Sequence, residues 1–97
     1  MPDIDAFNTK TWRQAGQLHR EDGPAVITSD GMQAWYIYGK YHRIDGPAVM
    51  HSNGRLDWAV DGRICLNWAE FQKQSKISDE DLSILMLRYP NFDEITS

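Results

Sequence analysis

Apolar and polar residues alternate in a series of short runs between residues 8 and 64. In the last of these runs, Leu56, Trp58 and Val60 fall on one face, with polar or small residues on the other. Alternation with a period of two is typical of a strand with one buried face. Asp30-Gly31 and Asn53-Gly54 separate such runs and are strong hairpin signals. The pattern predicts an antiparallel meander of about five to seven short strands.

The middle run places tyrosines on the face opposite to the predicted core. Trp35 and Ile37 occupy the core-facing positions, so we expect each Trp, and the β-branched residue two places later, to be buried. Tyr36 and Tyr38 then point the other way. Their face is either covered by the C-terminal helices or is a surface for a partner. Stacking of single-stranded bases on these tyrosines is the remaining possibility, and the negative net charge disfavours it.

These runs belong to a repeat of 23 residues. Residues 19–26, His-Arg-Glu-Asp-Gly-Pro-Ala-Val, return as residues 42–49, His-Arg-Ile-Asp-Gly-Pro-Ala-Val. A tryptophan and a turn glycine recur at the same spacing in all three copies: Trp12, Trp35 and Trp58, and Gly16, Gly39 and Gly62. Asn8 holds the position of Gly31 and Gly54, and Asn tolerates a left-handed backbone. A fixed period of this length predicts copies that stack on their neighbours.

The repeated motif contains residues with catalytic potential. They are His19, Arg20 and Asp22 in one copy, and His42, Arg43 and Asp45 in the next. Histidine beside a carboxylate is a common acid–base pair, which makes catalysis or metal binding one interpretation. However, active sites are rarely duplicated within one small domain. We therefore interpret both sets as structural, with a buried Asp–Arg pair stapling one copy to the next.

The sequence Asp-Gly-Pro has a mechanical interpretation. We expect Gly23 and Gly46 to adopt a positive or unusual φ. The proline that follows has a fixed φ and no N–H, so it should start a strand or lie at an edge.

Helical signals begin where the repeat ends, after residue 64. The segment Asn67–Glu70 is a capping-box pattern and predicts a helix over 68–76. Ser78–Asp81 is a second cap, and the second helix is predicted to end at Pro90. Its apolar face comprises Leu82, Leu85, Met86 and Tyr89. We expect both helices to cap the open edge and face of the sheet.

The chain is therefore predicted to be one α+β domain of 97 residues. Stacked hairpins form residues 8–64, and residues 65–97 form a helical cap with an acidic tail. Residues 1–7 are predicted to be a flexible lead-in, with Ile4 and Phe7 available to cover the first edge.

The distribution of charge argues against nucleic acid as a partner. The formal net charge is −4, and residues 67–97 hold six acidic residues against three basic ones. A phosphate-backbone binder would normally carry a basic stripe. The acidic residues instead suggest a solvated helix start or, less commonly, a nucleic-acid mimic or a site for a basic partner.

Cys65 is the only cysteine, so no internal disulfide can form and a reducing compartment is expected. Its place between repeat and cap favours a buried packing residue over a nucleophile. No Cys/His set has zinc spacing, and we expect no cofactor. The N-terminus lacks the features of a signal peptide and no apolar run could span a bilayer, so we expect a soluble cytoplasmic protein.

The unit Trp-x-x-x-Gly-x-x-His-Arg-x-Asp-Gly-Pro-Ala resembles a repeat of small proteins from tailed phages and some large viruses. It is similar to the variant MORN (membrane occupation and recognition nexus) repeats. Residues 8–64 carry the match, most clearly 35–48. The resemblance implies short hairpins stacked into an open, twisted sheet and a binding or structural role, with no shared catalytic residue. Membrane binding is not carried over.

Three functional hypotheses follow. The first is a non-enzymatic module that binds a larger protein, such as a phage-encoded inhibitor of a host defence complex, for example an anti-CRISPR. Its predicted contact residues are Tyr36, Tyr38, Tyr41, Met50, Asp79, Glu80 and Asp81. The second is self-assembly, including a homodimer through an open sheet edge. The third is a small hydrolase or nuclease that uses His42 and Asp45.

Overall fold

The computed structural model describes residues 2–90 and 92 and confirms the predicted α+β class. Its main sheet has seven antiparallel strands in the order β1-β2-β5-β6-β9-β10-β11. These strands are β1 Asp3–Ile4, β2 Lys10–Thr11, β5 Val26–Ile27, β6 Gln33–Ala34, β9 Val49–Met50, β10 Leu56–Val60 and β11 Arg63–Cys65. Two hairpins stand apart from it: β3 Arg13–Gln14 with β4 Gln17–Leu18, and β7 Tyr36–Ile37 with β8 Lys40–Tyr41. The helices are α1 Trp68–Ser75 and α2 Asp79–Arg88.

In each of the first two copies, the tryptophan separates a strand of the main sheet from the first strand of the hairpin, β2 from β3 and β6 from β7. The Trp12 N–H donates to Ala25 O (2.8 Å) and the Trp35 N–H to Ala48 O (2.7 Å), and the chain then leaves the main sheet to form its hairpin. In the third copy, where no further Pro-Ala strand exists, β10 runs straight through Trp58.

The expectation that all three tryptophans are core residues is therefore wrong for two of them. Trp58 and Val60 are 1% and 3% exposed, whereas Trp12 and Trp35 are only half-buried.

Both predicted classes of turn are present. Gly16, Gly39 and Gly62 lie at φ near +80°, and each follows another residue of positive φ, the pattern of a two-residue type I′ hairpin. At the second turn, Asn8, Gly31 and Gly54 all have positive φ, as predicted for Asn8. The Gly31 N–H donates to Thr28 O, and the Thr28 N–H donates to Met32 O, which gives a three-residue loop.

The N-terminal residues were predicted to be a flexible lead-in, and this is wrong. Asp3 and Ile4 pair with β2 at the edge of the sheet, 23 residues before Val26 and Ile27 of β5. The following turn repeats the same backbone bonds, from the Asp5 N–H to Thr9 O and from the Asn8 N–H to Asp5 O. Sequence comparison missed this partial copy because, before Asn8, only Ile4 resembles the residue types at the equivalent positions of the later copies. Phe7 does not cover the edge and is 81% exposed.

Each motif arginine forms a clamp on the tryptophan of its own copy. The Arg20 guanidinium carbon lies 4.0 Å from the centre of the Trp12 ring. Arg20 Nε donates to Asp22 Oδ1 (3.0 Å) and Nη1 donates to Pro24 O (3.1 Å). The guanidinium thus shields the indole face, forms an ion pair and satisfies a backbone carbonyl.

The second copy reproduces this clamp closely. The Arg43 guanidinium carbon lies 3.9 Å from the centre of the Trp35 ring. Its Nε donates to Asp45 Oδ1 (2.8 Å) and its Nη1 to Pro47 O (3.1 Å). Pro47 is among the largest fully buried side chains.

The clamp explains the glycine of Asp-Gly-Pro, for which a positive φ, one of the two predicted alternatives, is wrong. Neither Gly23 nor Gly46 is among the residues of positive φ. A Cβ atom on Gly23 would lie 3.1 Å from the guanidinium carbon of Arg20, and one on Gly46 would lie 2.6 Å from that of Arg43. The guanidinium thus packs directly on the glycine backbone, and a methyl group at either position would displace it.

Histidines, and not the Arg–Asp pairs, connect successive copies through their side chains. His19 Nδ1 accepts from the Tyr38 N–H (3.0 Å), and His42 Nδ1 accepts from the Asp61 N–H (3.1 Å). Each Arg–Asp pair instead closes a loop within one copy, and the aspartate side chains are 87% and 81% exposed. The prediction of a buried staple through aspartate is therefore wrong.

The helices take over the role of the clamp in the third copy. Leu66 occupies the arginine position there, so no guanidinium covers Trp58. The Trp58 ring instead contacts Trp68, Phe71, Tyr89 and Phe92, at centroid distances from 4.7 to 5.2 Å. The predicted helical cap is present over the face that carries the third tryptophan. The expectation that it also covers the open edge is wrong in part, because Ile64 and Leu66 at that edge remain 46% and 56% exposed.

Both helix starts follow the predicted caps. Asn67 Oδ1 accepts from the Glu70 N–H (2.8 Å), and Ser78 Oγ accepts from the Asp81 N–H (3.1 Å). The second helix ends at Arg88, two residues before the predicted Pro90.

The predicted apolar face of α2 is partly wrong. Leu85 is buried, and Leu82 and Tyr89 pack against the core. Met86 is 43% exposed because the helical rotation moves it to the flank of this face. The acidic tail residues Asp93 and Glu94 lie outside the described residues. Among the described helices, none combines the length and apolarity needed to cross a membrane.

Cys65 is 2% exposed and packs in the core, as predicted. Burial, followed by the charge of Glu70, raises the pKa of its thiol from 9.0 to about 11.

We predict that Gly46→Ala destabilises the fold by about 1–3 kcal/mol, because the new methyl group displaces the guanidinium of Arg43. Gly23→Ala is the matched control and should cost less, since its Cβ would lie 3.1 Å and not 2.6 Å from the guanidinium carbon. Urea unfolding midpoints measure both effects. Equal midpoints for wild type and Gly46→Ala would contradict the clamp.

A second prediction concerns alkaline pH. The unfolded thiol ionises near its ordinary pKa of 9.0 and the folded one near 11, so the folded state loses stability between these pH values. The free energy of unfolding of wild type should therefore fall more steeply across this range than that of Cys65→Ala. Parallel curves would show that ionisation of this thiol is not coupled to folding.

Candidate partner-binding surface

The predicted tyrosines lie on the β7–β8 hairpin and not under the helices. Tyr36 and Tyr41 are directly opposite each other across the two strands, with ring centroids 4.7 Å apart. Burial, together with a hydrogen bond to Tyr41, raises the pKa of the Tyr36 hydroxyl. Tyr38 lies at the tip of the turn and is 50% exposed. Its ring packs on that of His19, with ring centroids 4.2 Å apart.

The helices occupy the opposite face of the repeat. Val60, which holds the position of Ile37, belongs to the core cluster that the helices form with Trp58. Ala59, which holds the position of Tyr36, does not belong to it. The tyrosines and the helices thus define two separate surfaces.

The other predicted contact residues are also dispersed. Met50 is half-buried in β9, and its sulfur lies 4.0 Å from Arg43 Nη1. Asp79, Glu80 and Asp81 are exposed in the first turn of α2, where their negative charge interacts favourably with the helix dipole. Gln72 Nε2 donates to Asp79 Oδ1 (2.6 Å), which ties the start of α2 to α1.

The residues of the hydrolase hypothesis make separate contacts. His42 Nδ1 accepts from the Asp61 N–H and lies 3.3 Å from Asp61 Oδ1. Asp45 is paired with Arg43. Within the part of the chain that the structure describes, no group of three His, Cys, Asp or Glu side chains could hold a metal ion.

A cleft of about 220 Å³ lies between α2 and the second motif loop, and we call it the α2 cleft. Its lining is mostly apolar, with three charged residues: Ile44, Ile77, Ile84, Leu85, Asp45, Asp81 and Arg88. Ile44 and Ile84 are 44% and 45% exposed, and Leu87, one turn beyond Ile84, is 84% exposed. The cleft therefore continues into an apolar strip on the outer side of α2.

The charged rim of the α2 cleft contains groups that are not paired. Asp81 and Arg88 form no ion pair within 4.0 Å of any oppositely charged group among residues 2–90 and 92. Asp45 also lines the cleft, but its carboxylate is already bonded to Arg43 through Oδ1.

A larger groove of about 710 Å³ runs beside the α2 cleft, between the two motif loops. The two share Ile44 and Asp45. The groove's arginines, Arg20 and Arg43, are already paired with the aspartates of their clamps. Among the described residues, the α2 cleft therefore has charged side chains that are not already paired, namely Asp81 and Arg88, whereas the arginines of the groove are paired.

Sequence reasoning identified Asp81 but missed the apolar residues of this surface. Ile44 occupies the variable position of His-Arg-x-Asp, where the first copy has Glu21. An apolar residue at an exposed repeat position was a signal that could have identified it. Ile84 and Leu87 lie off the core face of their helix, which is a second such signal.

No protein-family model, curated protein or solved structure matches this chain. The resemblance to MORN-type repeats therefore rests on the motif residues alone.

We predict that the exposed apolar residues of α2 contribute little to folding. Ile84→Ser should change the free energy of unfolding by no more than about 0.5 kcal/mol, as for other surface positions. Leu85→Ala, one residue further along the same helix, should cost about 2–5 kcal/mol because Leu85 is in the core. Chemical denaturation compares the two. A large loss for Ile84→Ser would make Ile84 a folding residue and weaken the case for a binding surface.

Proposed function

We propose that this chain is a non-enzymatic protein-binding module whose α2 cleft receives a segment of a larger partner. The observation that carries the proposal is the exposed apolar strip formed by Ile44, Ile84 and Leu87 beside unpaired charges. Contiguous apolar surface with a polar rim is a common feature of interaction sites. Several large apolar side chains of this small domain are thus exposed at one place on its surface.

The charges around the α2 cleft define the chemistry of the partner segment. Asp45 and Asp81 line it, and Asp79 and Glu80 lie in the same helical turn as Asp81, whereas Arg88 is the only basic residue among the described ones that line it. An acidic rim favours a segment with Lys or Arg side chains flanking its apolar contacts. The partner segment is therefore amphipathic and basic.

The resemblance to repeats of phage and viral proteins favours one form of this module, an inhibitor that occupies a surface of a host protein complex. An anti-CRISPR protein is one example of that class. The tyrosine surface of β7–β8 is the alternative contact site, and it lies on the other face of the repeat.

Two exposed residues of α2 allow a matched test. Ile84 lines the α2 cleft and Met86 lies outside it, although both are apolar and are 45% and 43% exposed. In affinity capture from host-cell lysate with quantitative mass spectrometry, Ile84→Asp should lose the partner that wild type and Met86→Asp both retain. A loss of about tenfold or more in affinity is expected, which corresponds to 1.4 kcal/mol or more.

The same experiment includes Tyr36→Ala/Tyr38→Ala. If this double variant loses the partner while Ile84→Asp keeps it, binding uses the tyrosine surface and the α2 cleft is not the site. Cross-linking of the purified complex then identifies the bound segment. A segment without basic residues would contradict the proposed partner chemistry.

A further inference from the structure

Successive copies of the repeat stack through a regular set of backbone bonds. The Gly39 N–H donates to Leu18 O, and the Gly62 N–H donates to Tyr41 O, both at 2.8 Å. The acceptor is always in the returning strand of one hairpin, and the donor is the turn glycine of the next.

A second bond runs the other way at each junction. The Arg20 N–H donates to Tyr36 O, and the Arg43 N–H donates to Ala59 O, both at 3.1 Å. Each junction is therefore reciprocal, and it is the same at both places where it occurs in the chain.

The two ends of the stack carry the halves of one further junction. At the C-terminal end, Ile64 holds the acceptor position and Leu66 the donor position, and we call the segment 63–66 the tail. At the N-terminal end, Gly16 holds the donor position and Arg13 the acceptor position, and we call the β3–β4 hairpin the head. Among the described residues, no other copy forms these two backbone bonds with either end.

Both ends are accessible. Ile64 and Leu66 are 46% and 56% exposed, although β11 adjoins α1. Residues 13–17 of the head are exposed throughout. The tail thus presents two large apolar side chains next to the backbone groups that an additional copy would use.

The residues that pack against the turn glycines are also consistent with a further junction at the two ends. A Cβ on Gly39 would lie 3.9 Å from the Cβ of Gln17, and one on Gly62 would lie 3.6 Å from that of Lys40. Arg63 holds the position of Gln17 and Lys40, and Gly16 has nothing within 4 Å of its own Cβ position. The head therefore has an open site where the residue of a preceding copy would pack.

We propose that the tail of one molecule stacks on the head of a second copy, so that the 23-residue repeat continues from chain to chain. Head and tail are different surfaces, so the contact is heterologous and each dimer retains a free head and a free tail. Cys65 occupies the histidine position of the tail, so this junction lacks the side-chain acceptor of the internal ones and is weaker than they are. The contact is independent of the α2 cleft.

A disulfide can trap the junction. Two chains in a Cys65→Ala background are mixed in a glutathione redox buffer, one with Arg63→Cys and one with Gly16→Cys. The internal junctions place the equivalent Cβ atoms 3.6 and 3.9 Å apart, within the range that a disulfide requires. The expected result is a mixed disulfide between residues 63 and 16, identified by peptide mass spectrometry.

Gly31→Cys replaces Gly16→Cys as the matched control. Gly31 also has a positive φ, +96° against +80°, and open space around it, but it lies in the other class of turn. A mixed disulfide at residue 16 in clear excess over residue 31 supports head-to-tail stacking. Equal yields, or no mixed disulfide at either position, overturn it.

Sedimentation velocity of chains without introduced cysteines provides the second measurement. Wild type should form species larger than a dimer as concentration rises, and Leu66→Asp should abolish them. Leu87→Asp, on the outer side of α2, should leave them unchanged. A wild type that stays monomeric, an assembly that stops at a dimer, or loss with Leu87→Asp but not with Leu66→Asp would each overturn the proposal.

Discussion

The packing of a guanidinium between an indole ring and a glycine backbone supports each of the first two copies. A two-stranded hairpin of this size buries too little surface to be stable alone. The arginine covers one face of the tryptophan, satisfies a proline carbonyl and fixes the loop through its aspartate. One residue thus replaces the second layer that a larger domain would use. In the third copy, aromatic residues of the helical cap cover Trp58 in its place.

The stack is one-dimensional, since each junction joins only neighbouring copies. Its side-chain contacts use His19 and His42 as acceptors, which requires that Nδ1 carry no proton. These histidines therefore contribute to continuity along the stack and the arginines to stability within each copy. The motif His-Arg-x-Asp-Gly-Pro combines the two functions in six consecutive residues.

Features determined by local chemistry could be predicted from the sequence, including the repeat, the turns at Asp-Gly and Asn-Gly, and the helix caps at Asn67 and Ser78. Features that depend on which copy lies beside which could not. Alternation gives Trp35 and Trp58 the same face, but it does not show that Arg43 covers Trp35 whereas residues of the C-terminal helices cover Trp58. The α2 cleft was missed for the same reason, because Ile44 and Ile84 are 40 residues apart in sequence.

The variable position of His-Arg-x-Asp lies outside the clamp, which uses only the residues around it. Glu21 and Ile44 occupy this position in the two copies, with the same clamp beneath each. The scaffold therefore tolerates a charged or an apolar residue there without changing its own architecture. The chemistry of the surface beside the clamp can therefore differ from one copy to the next on a single framework, without any change in the contacts that hold the copy together.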